Sequence, residues 1–130
     1  MARLPNQYLF VKTVVDVERL FDEKTKSYVV VETRDAYEYA DGKRTDNVIG
    51  KNVTLMCMRD EEDYGTTKAG KKISNLKFKQ FDIKVSNAQF EVPQGTKVKI
   101  DPNKLEKAVG YRNDFGEQVS IVYSDLDIIK

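Results

Sequence analysis

Hydrophobic residues in this chain recur with a period of two, and no stretch carries the spacing of an amphipathic helix three turns long. Leu76 and Phe78 alternate with Lys77 and Lys79, and after a slip at Gln80 the residues Phe81, Ile83 and Val85 face away from Asp82 and Lys84. Alternation of this kind marks a strand with one face in a core and one in water. The slip reads as a bulge, which sharpens the twist where a sheet curls toward a barrel. Comparable strands are expected over residues 8–20, 28–39, 48–59, 96–100 and 118–129, the last with a kink at Ser124-Asp125. Their connections carry turn chemistry: a polar hairpin loop over 21–27, Asp41-Gly42, a long loop from Asp60 through Gly70, a connector with Pro93 and Gly95, a turn or helical turn at Asp101-Pro102-Asn103, and a polar stretch over 110–116. Gly50 allows a bend or bulge early in its strand. The expectation is one all-β domain over residues 1–130, a five-stranded antiparallel barrel with long loops. Its predicted core is Leu9, Val11, Val15, Val31, Val53, Leu55, Phe78, Phe81, Ile83, Val98 and Ile121.

The side-chain inventory narrows the chemistry. The chain has 130 residues, one cysteine and no histidine. Serine-histidine-aspartate triads and histidine-bound zinc hydroxide are therefore excluded, and carboxylate-only hydrolysis or magnesium-dependent phosphoryl transfer finds no supporting motif. Cys57 lies among Val53, Leu55 and Met58, the setting of a buried structural thiol. Residues 65–70, GTTKAG, lack the spacing and the Ser or Thr of a phosphate-binding loop. The acids Asp60, Glu61, Glu62 and Asp63 lack calcium-loop spacing and read as a solvated run. No apolar run approaches the ~20 residues of a membrane-spanning helix and no secretory leader is recognisable, so a cytoplasmic protein without enzymatic activity or cofactor is expected.

Charge is unevenly distributed. The net charge is +1, yet residues 1–63 sum to −3, residues 64–107 to +6 and residues 108–130 to −2. A dipolar surface of this kind can hold a polyanion on one side and repel it on the other. The candidate phosphate contacts are Lys68, Lys71, Lys72, Lys77 and Lys79, with Lys97 and Lys99 on another strand and Lys43 and Arg44 beside the Asp41-Gly42 turn. The candidate base-stacking platforms are Tyr37, Tyr39, Tyr64 and Tyr111, whereas Tyr28 and Phe10 also suit a core. Cations along a groove interleaved with aromatic faces are what sequence-independent binding of a single strand requires. The competing reading of the lysines is a solvated face that keeps a strand edge from pairing.

The order of these pieces resembles the OB-fold of single-stranded DNA-binding proteins: a long hairpin, a strand leading into a basic loop, the segment Pro93 to Ile100 (PQGTKVKI), and a closing strand. It is similar in particular to the small divergent members carried by phages and conjugative plasmids. The disordered linker and acidic Pro-Phe tail of the housekeeping bacterial protein have no counterpart, since Asp125 to Ile129 runs straight into Lys130. The resemblance implies an OB-like barrel that binds single-stranded DNA, with RNA as the alternative ligand, during replication, conjugation or other transfer of a mobile element. A weak homo-oligomer assembled along the nucleic acid is expected with it. The reading from a different class is a non-catalytic interaction module, a phage or plasmid accessory subunit whose barrel edge pairs with a partner strand.

Overall fold

The computed structural model describes residues 2, 4–6, 13–113 and 116–129, of which 13, 111–113, 116 and 117 are described by backbone alone. Its architecture is all-β. One sheet contains β1 (Thr13–Val14), β2 (Lys26–Ala40), β3 (Lys43–Asp60), β4 (Gln80–Val85), β5 (Lys97–Lys99), β6 (Leu105–Asn113), β7 (Gly116–Tyr123) and β8 (Asp127–Ile128), in the order β1-β6-β7-β4-β3-β2-β5-β8. All neighbours are antiparallel except β4 and β7, which run parallel through Lys84↔Val122 and Val85↔Tyr123. The sheet curls into a half-barrel. β5 lies beside β2 and β6 beside β7, so the single segment from Lys97 to Asn113, broken by a 3-10 turn at Pro102–Lys104, runs from one side of the sheet to the other.

The expected count of five strands is corrected to eight. β6 went unrecognised because Ala108, Val109 and Gly110 are all half-buried, which erases the alternation, and Val119, opposite Gly110, is exposed. The first strand is corrected as well. Of residues 8–20, positions 8–12 lie outside the described residues, Thr13–Val14 is extended, and Val17–Leu20 forms a helical turn, α1, whose Asp16 cap accepts a hydrogen bond from the Arg19 N–H at 3.1 Å. Val17, Leu20 and Phe21 suit a helical spacing, and all three pack on the core.

The β2–β3 hairpin carries the fold. Asp41 and Gly42 both have positive φ (54° and 76°), the geometry of a two-residue turn whose twist matches the strands it joins. Tyr28, Val30, Val53, Leu55 and Cys57 point from this hairpin into a core closed by Ile83, Val85, Phe90, Val98, Ile100, Ile121, Tyr123 and Leu126. Phe21 lies at the centre of an aromatic group, 5.3 Å from Tyr28, 6.0 Å from Phe81 and 5.8 Å from Tyr123 between ring centroids. Of the expected core, Val53, Leu55, Ile83, Val98 and Ile121 are buried, Val15 and Phe81 pack against it, Val31 is half-buried, and Leu9 and Val11 lie outside the described residues.

Phe78 is not a core residue: it is 62% exposed. The alternation slips two residues earlier than expected. Phe78 N–H donates to Cys57 O at 2.7 Å and Cys57 N–H donates to Lys79 O at 3.1 Å, so Phe78 and Lys79 together oppose Cys57 in a bulge. Leu76 consequently packs on the core and Phe78 turns outward, while Lys77 and Lys79, expected on a strand, precede β4 in a turn. At Gly50 the expected bend has a steric origin. A Cβ there would lie 2.4 Å from the Val85 carbonyl oxygen, so only glycine lets β3 approach the end of β4.

Candidate nucleic-acid interface

The basic loop is tied to the sheet by a buried polar network. Lys26, the first residue of β2, and Asp60, the last of β3, have side chains only 1% and 0% exposed. The Lys26 ammonium donates to Arg19 O at 3.0 Å and to Glu62 Oε1 at 2.6 Å, and stands 3.9 Å from Asp60 Oδ1. Asp60 also accepts the Glu62 N–H at 3.1 Å, the Tyr64 hydroxyl at 2.7 Å and the Leu76 N–H at 2.8 Å. Burial by itself pushes the Asp60 carboxyl up, but these three hydrogen bonds and the Lys26 charge outweigh it and hold the group below the usual carboxylate range. For Lys26, burial likewise works against the charge, and the hydrogen bonds to Glu62 and Tyr64 leave its pKa raised. The acidic run is thus only partly the solvated segment expected: Glu61 and Asp63 are exposed, whereas Asp60 anchors both ends of the loop.

From that anchor the loop extends outward. A bridge between Thr66 and Lys72, with Gly70 at φ +83°, folds its tip into a small turn that carries Lys68, Lys71 and Lys72 in solvent. Lys77 places its ammonium 5.1 Å from the centre of the Phe78 ring, and Lys79 donates to Ser74 Oγ at 3.0 Å. Tyr64 is half-buried, its hydroxyl on Asp60 and its ring flanked by Arg19 and Lys26 at 5.3 and 5.5 Å. Its contacts within the fold are more extensive than its polar sequence context suggests.

A second group lies at the other end of the hairpin. β4 pairs with β3 only from Lys51 to Met56, and β5 with β2 only at Tyr28 and Val29. Residues 37–48 therefore form a two-stranded arm beyond the body of the sheet. On it the Arg44 guanidinium stacks 4.6 Å from the centre of the Tyr37 ring, while Tyr39, paired with Arg44 across the strands, is 68% exposed and Lys43 is exposed beside the turn. The sequence grouping of Tyr37, Tyr39, Lys43 and Arg44 is thus one local cluster. At ~3.3 Å per residue, Tyr39 lies about 36 Å along β2 from Tyr28, so the arm tip and the basic loop do not form one compact pocket.

The remaining candidates are dispersed. Lys97 and Lys99 lie on the exposed face of β5, where Lys99 pairs with Glu23 at 3.2 Å. Tyr111 belongs to β6 opposite Gln118, and its side chain lies outside the described residues, as does Phe10. Tyr28 is a core residue whose hydroxyl donates to Leu20 O. Of the cations singled out from sequence, only Lys99 forms an ion pair among the described residues. By contrast Arg19, Lys26, Arg34, Lys51, Arg59 and Lys104 are all paired with carboxylates. Cys57 is buried, and burial pushes its thiol up, away from nucleophilic character. No cluster of three or more Cys, Asp or Glu side chains suited to a metal ion occurs among the described residues, and no helix there is long and apolar enough to cross a membrane. Comparison with protein-family models, with curated proteins and with solved structures finds nothing that matches this chain.

Proposed function

We propose that this chain is a non-catalytic protein that binds single-stranded DNA without sequence specificity, with RNA as the alternative ligand. The observation that carries the reading is the grouping of unpaired cations on the loop and the arm. In the body Arg19, Lys26, Arg34, Lys51, Arg59, Lys99 and Lys104 are paired with carboxylates, and only the scattered Lys24, Lys84, Lys97 and Lys107 lack an ion pair among the described residues. Lys68, Lys71, Lys72, Lys77 and Lys79 on the loop and Lys43 and Arg44 on the arm are instead clustered and exposed without ion-pair partners among the described residues. Unpaired cations exchange counterions for phosphates without first breaking an internal pair. Tyr37 and Tyr39 beside Lys43 and Arg44 add the aromatic faces on which any base can stack.

The finer fold reading is an OB-type barrel built on β2, β3, β4, β7 and the interrupted strand made of β5 and β6, with β1 and β8 at the ends of the strand order. Its support is the way β5 and β6 touch opposite sides of the sheet, as one strand closing a barrel would. In such barrels the surface of the second and third strands and the loop between the first and second meet nucleic acid. The loop between the first and second of these strands is the tip of the arm. The process implied is replication or transfer of a mobile element, with weak self-association along the bound strand.

Titration of a labelled oligothymidine across a salt series tests this. Binding should tighten as salt falls, log affinity changing linearly with log salt at a slope of about 0.7 per phosphate contacted. Absence of binding at low salt overturns the proposal. The interaction-module reading then takes its place, favoured by one observation: residues 32–40 of β2 pair with β3 on one side and with no strand on the other among the described residues.

A further inference from the structure

Phe78 stands out as a residue that the fold does not explain. Three described non-glycine residues have positive φ, namely Asn6, Asp41 and Phe78. Asn and Asp tolerate the left-handed region through their short polar side chains, but a bulky aromatic residue there is strained. At φ +66° Phe78 occupies the bulge position that glycine normally fills. Burial does not compensate, because the ring is 62% exposed. Strain retained in a side chain that contributes little to the core is characteristic of binding sites, where the surroundings hold a group in place for a ligand.

Those surroundings are specific. The bulge fixes the backbone through the Phe78 N–H to Cys57 O bond at 2.7 Å and the Lys79 N–H to Leu76 O bond at 2.9 Å. Lys77 is held against the ring at 5.1 Å, and Lys79 follows. Met58, 40% exposed, succeeds the buried Cys57 on β3 and so points to the outer face beside the bulge. The result is an outward aromatic face on a hydrogen-bonded backbone, flanked by cations without carboxylate partners among the described residues. We propose that Phe78 is a base-stacking platform and that Lys77 and Lys79 engage the phosphates flanking the stacked nucleotide. The inference rests on the single-strand reading and adds the residue that would bind the base within the basic loop.

The chain contains no tryptophan, so Phe78→Trp places a single fluorescent reporter at the site. Oligothymidine should quench that fluorescence on binding, with affinity kept within about twofold of the parent. Phe78→Gly removes both ring and strain. It should unfold in urea at the same concentration as the parent or higher, yet bind oligothymidine about 5- to 100-fold more weakly with an unchanged salt slope. Phe78→Asn, which also tolerates the left-handed backbone, should behave like the glycine variant. Parent-like binding by the glycine and asparagine variants, or a tryptophan unaffected by a bound strand, overturns the assignment and leaves the single-strand reading in place. Failure of the parent chain to bind at low salt overturns both.

Discussion

The two ends of one hairpin have opposite characters. At the base of β2 and β3, Lys26 and Asp60 are buried, and every charge in their network has a partner. At the tip, Tyr39, Lys43 and Arg44 are exposed on an arm that no third strand supports among the described residues. A two-stranded ribbon without such support contributes little stability. The same pair of strands therefore secures the fold at one end and presents side chains to solvent at the other. Substitutions at the two ends should separate stability from binding.

The largest effect is expected at the base. Asp60→Ala leaves the buried Lys26 beside one carboxylate instead of two and removes the acceptor for the Tyr64 hydroxyl and two backbone N–H groups. Loss of about 3–5 kcal/mol in urea unfolding is expected. The same group sets an acid limit. Because the folded-state pKa of Asp60 is depressed, its contribution is fully present above the unfolded value of about 4 and is lost as pH falls through the folded value. The parent should lose stability below about pH 4, and Asp60→Ala should lose less over that range.

Gly50→Ala comes next. Its methyl group would enter the space of the Val85 carbonyl, so β3 and β4 must separate, at a cost of about 1–3 kcal/mol by the same unfolding assay. At the tip, Tyr39→Ala should change stability by less than about 0.5 kcal/mol but weaken oligothymidine binding by ~1 kcal/mol, with the salt slope kept. The smallest contrast sharpens the division among the lysines. Alanine at both Lys71 and Lys72 should flatten the log–log salt slope by about 1.4, whereas Lys99→Ala, which removes a lysine paired with Glu23, should leave it nearly unchanged.

Much of this division could be read from the residues. Alternation identified the all-β class, Asp41-Gly42 the hairpin turn, and charge segregation the basic loop. What escaped has physical causes. Val17 suits both a strand and a helical turn, and the Asp16 cap decides for the helix. Phe78 satisfies the strand pattern perfectly and leaves it only through a left-handed backbone for which a phenylalanine gives no signal. The role of Asp60 was hidden because four consecutive acids look solvated until the loop returns Leu76 to the first of them. Neither the projection of the arm nor the pairing of individual cations is encoded in local periodicity, since both depend on which strands meet.

The most direct test of the account is amide hydrogen exchange on the intact chain, with and without saturating oligothymidine at low salt. Added protection is expected in the arm, residues 37–48, and in the basic loop, residues 64–79, with little change around Lys26, Asp60 and Glu62. Protection confined to the base of the hairpin, or no protection anywhere, would contradict it.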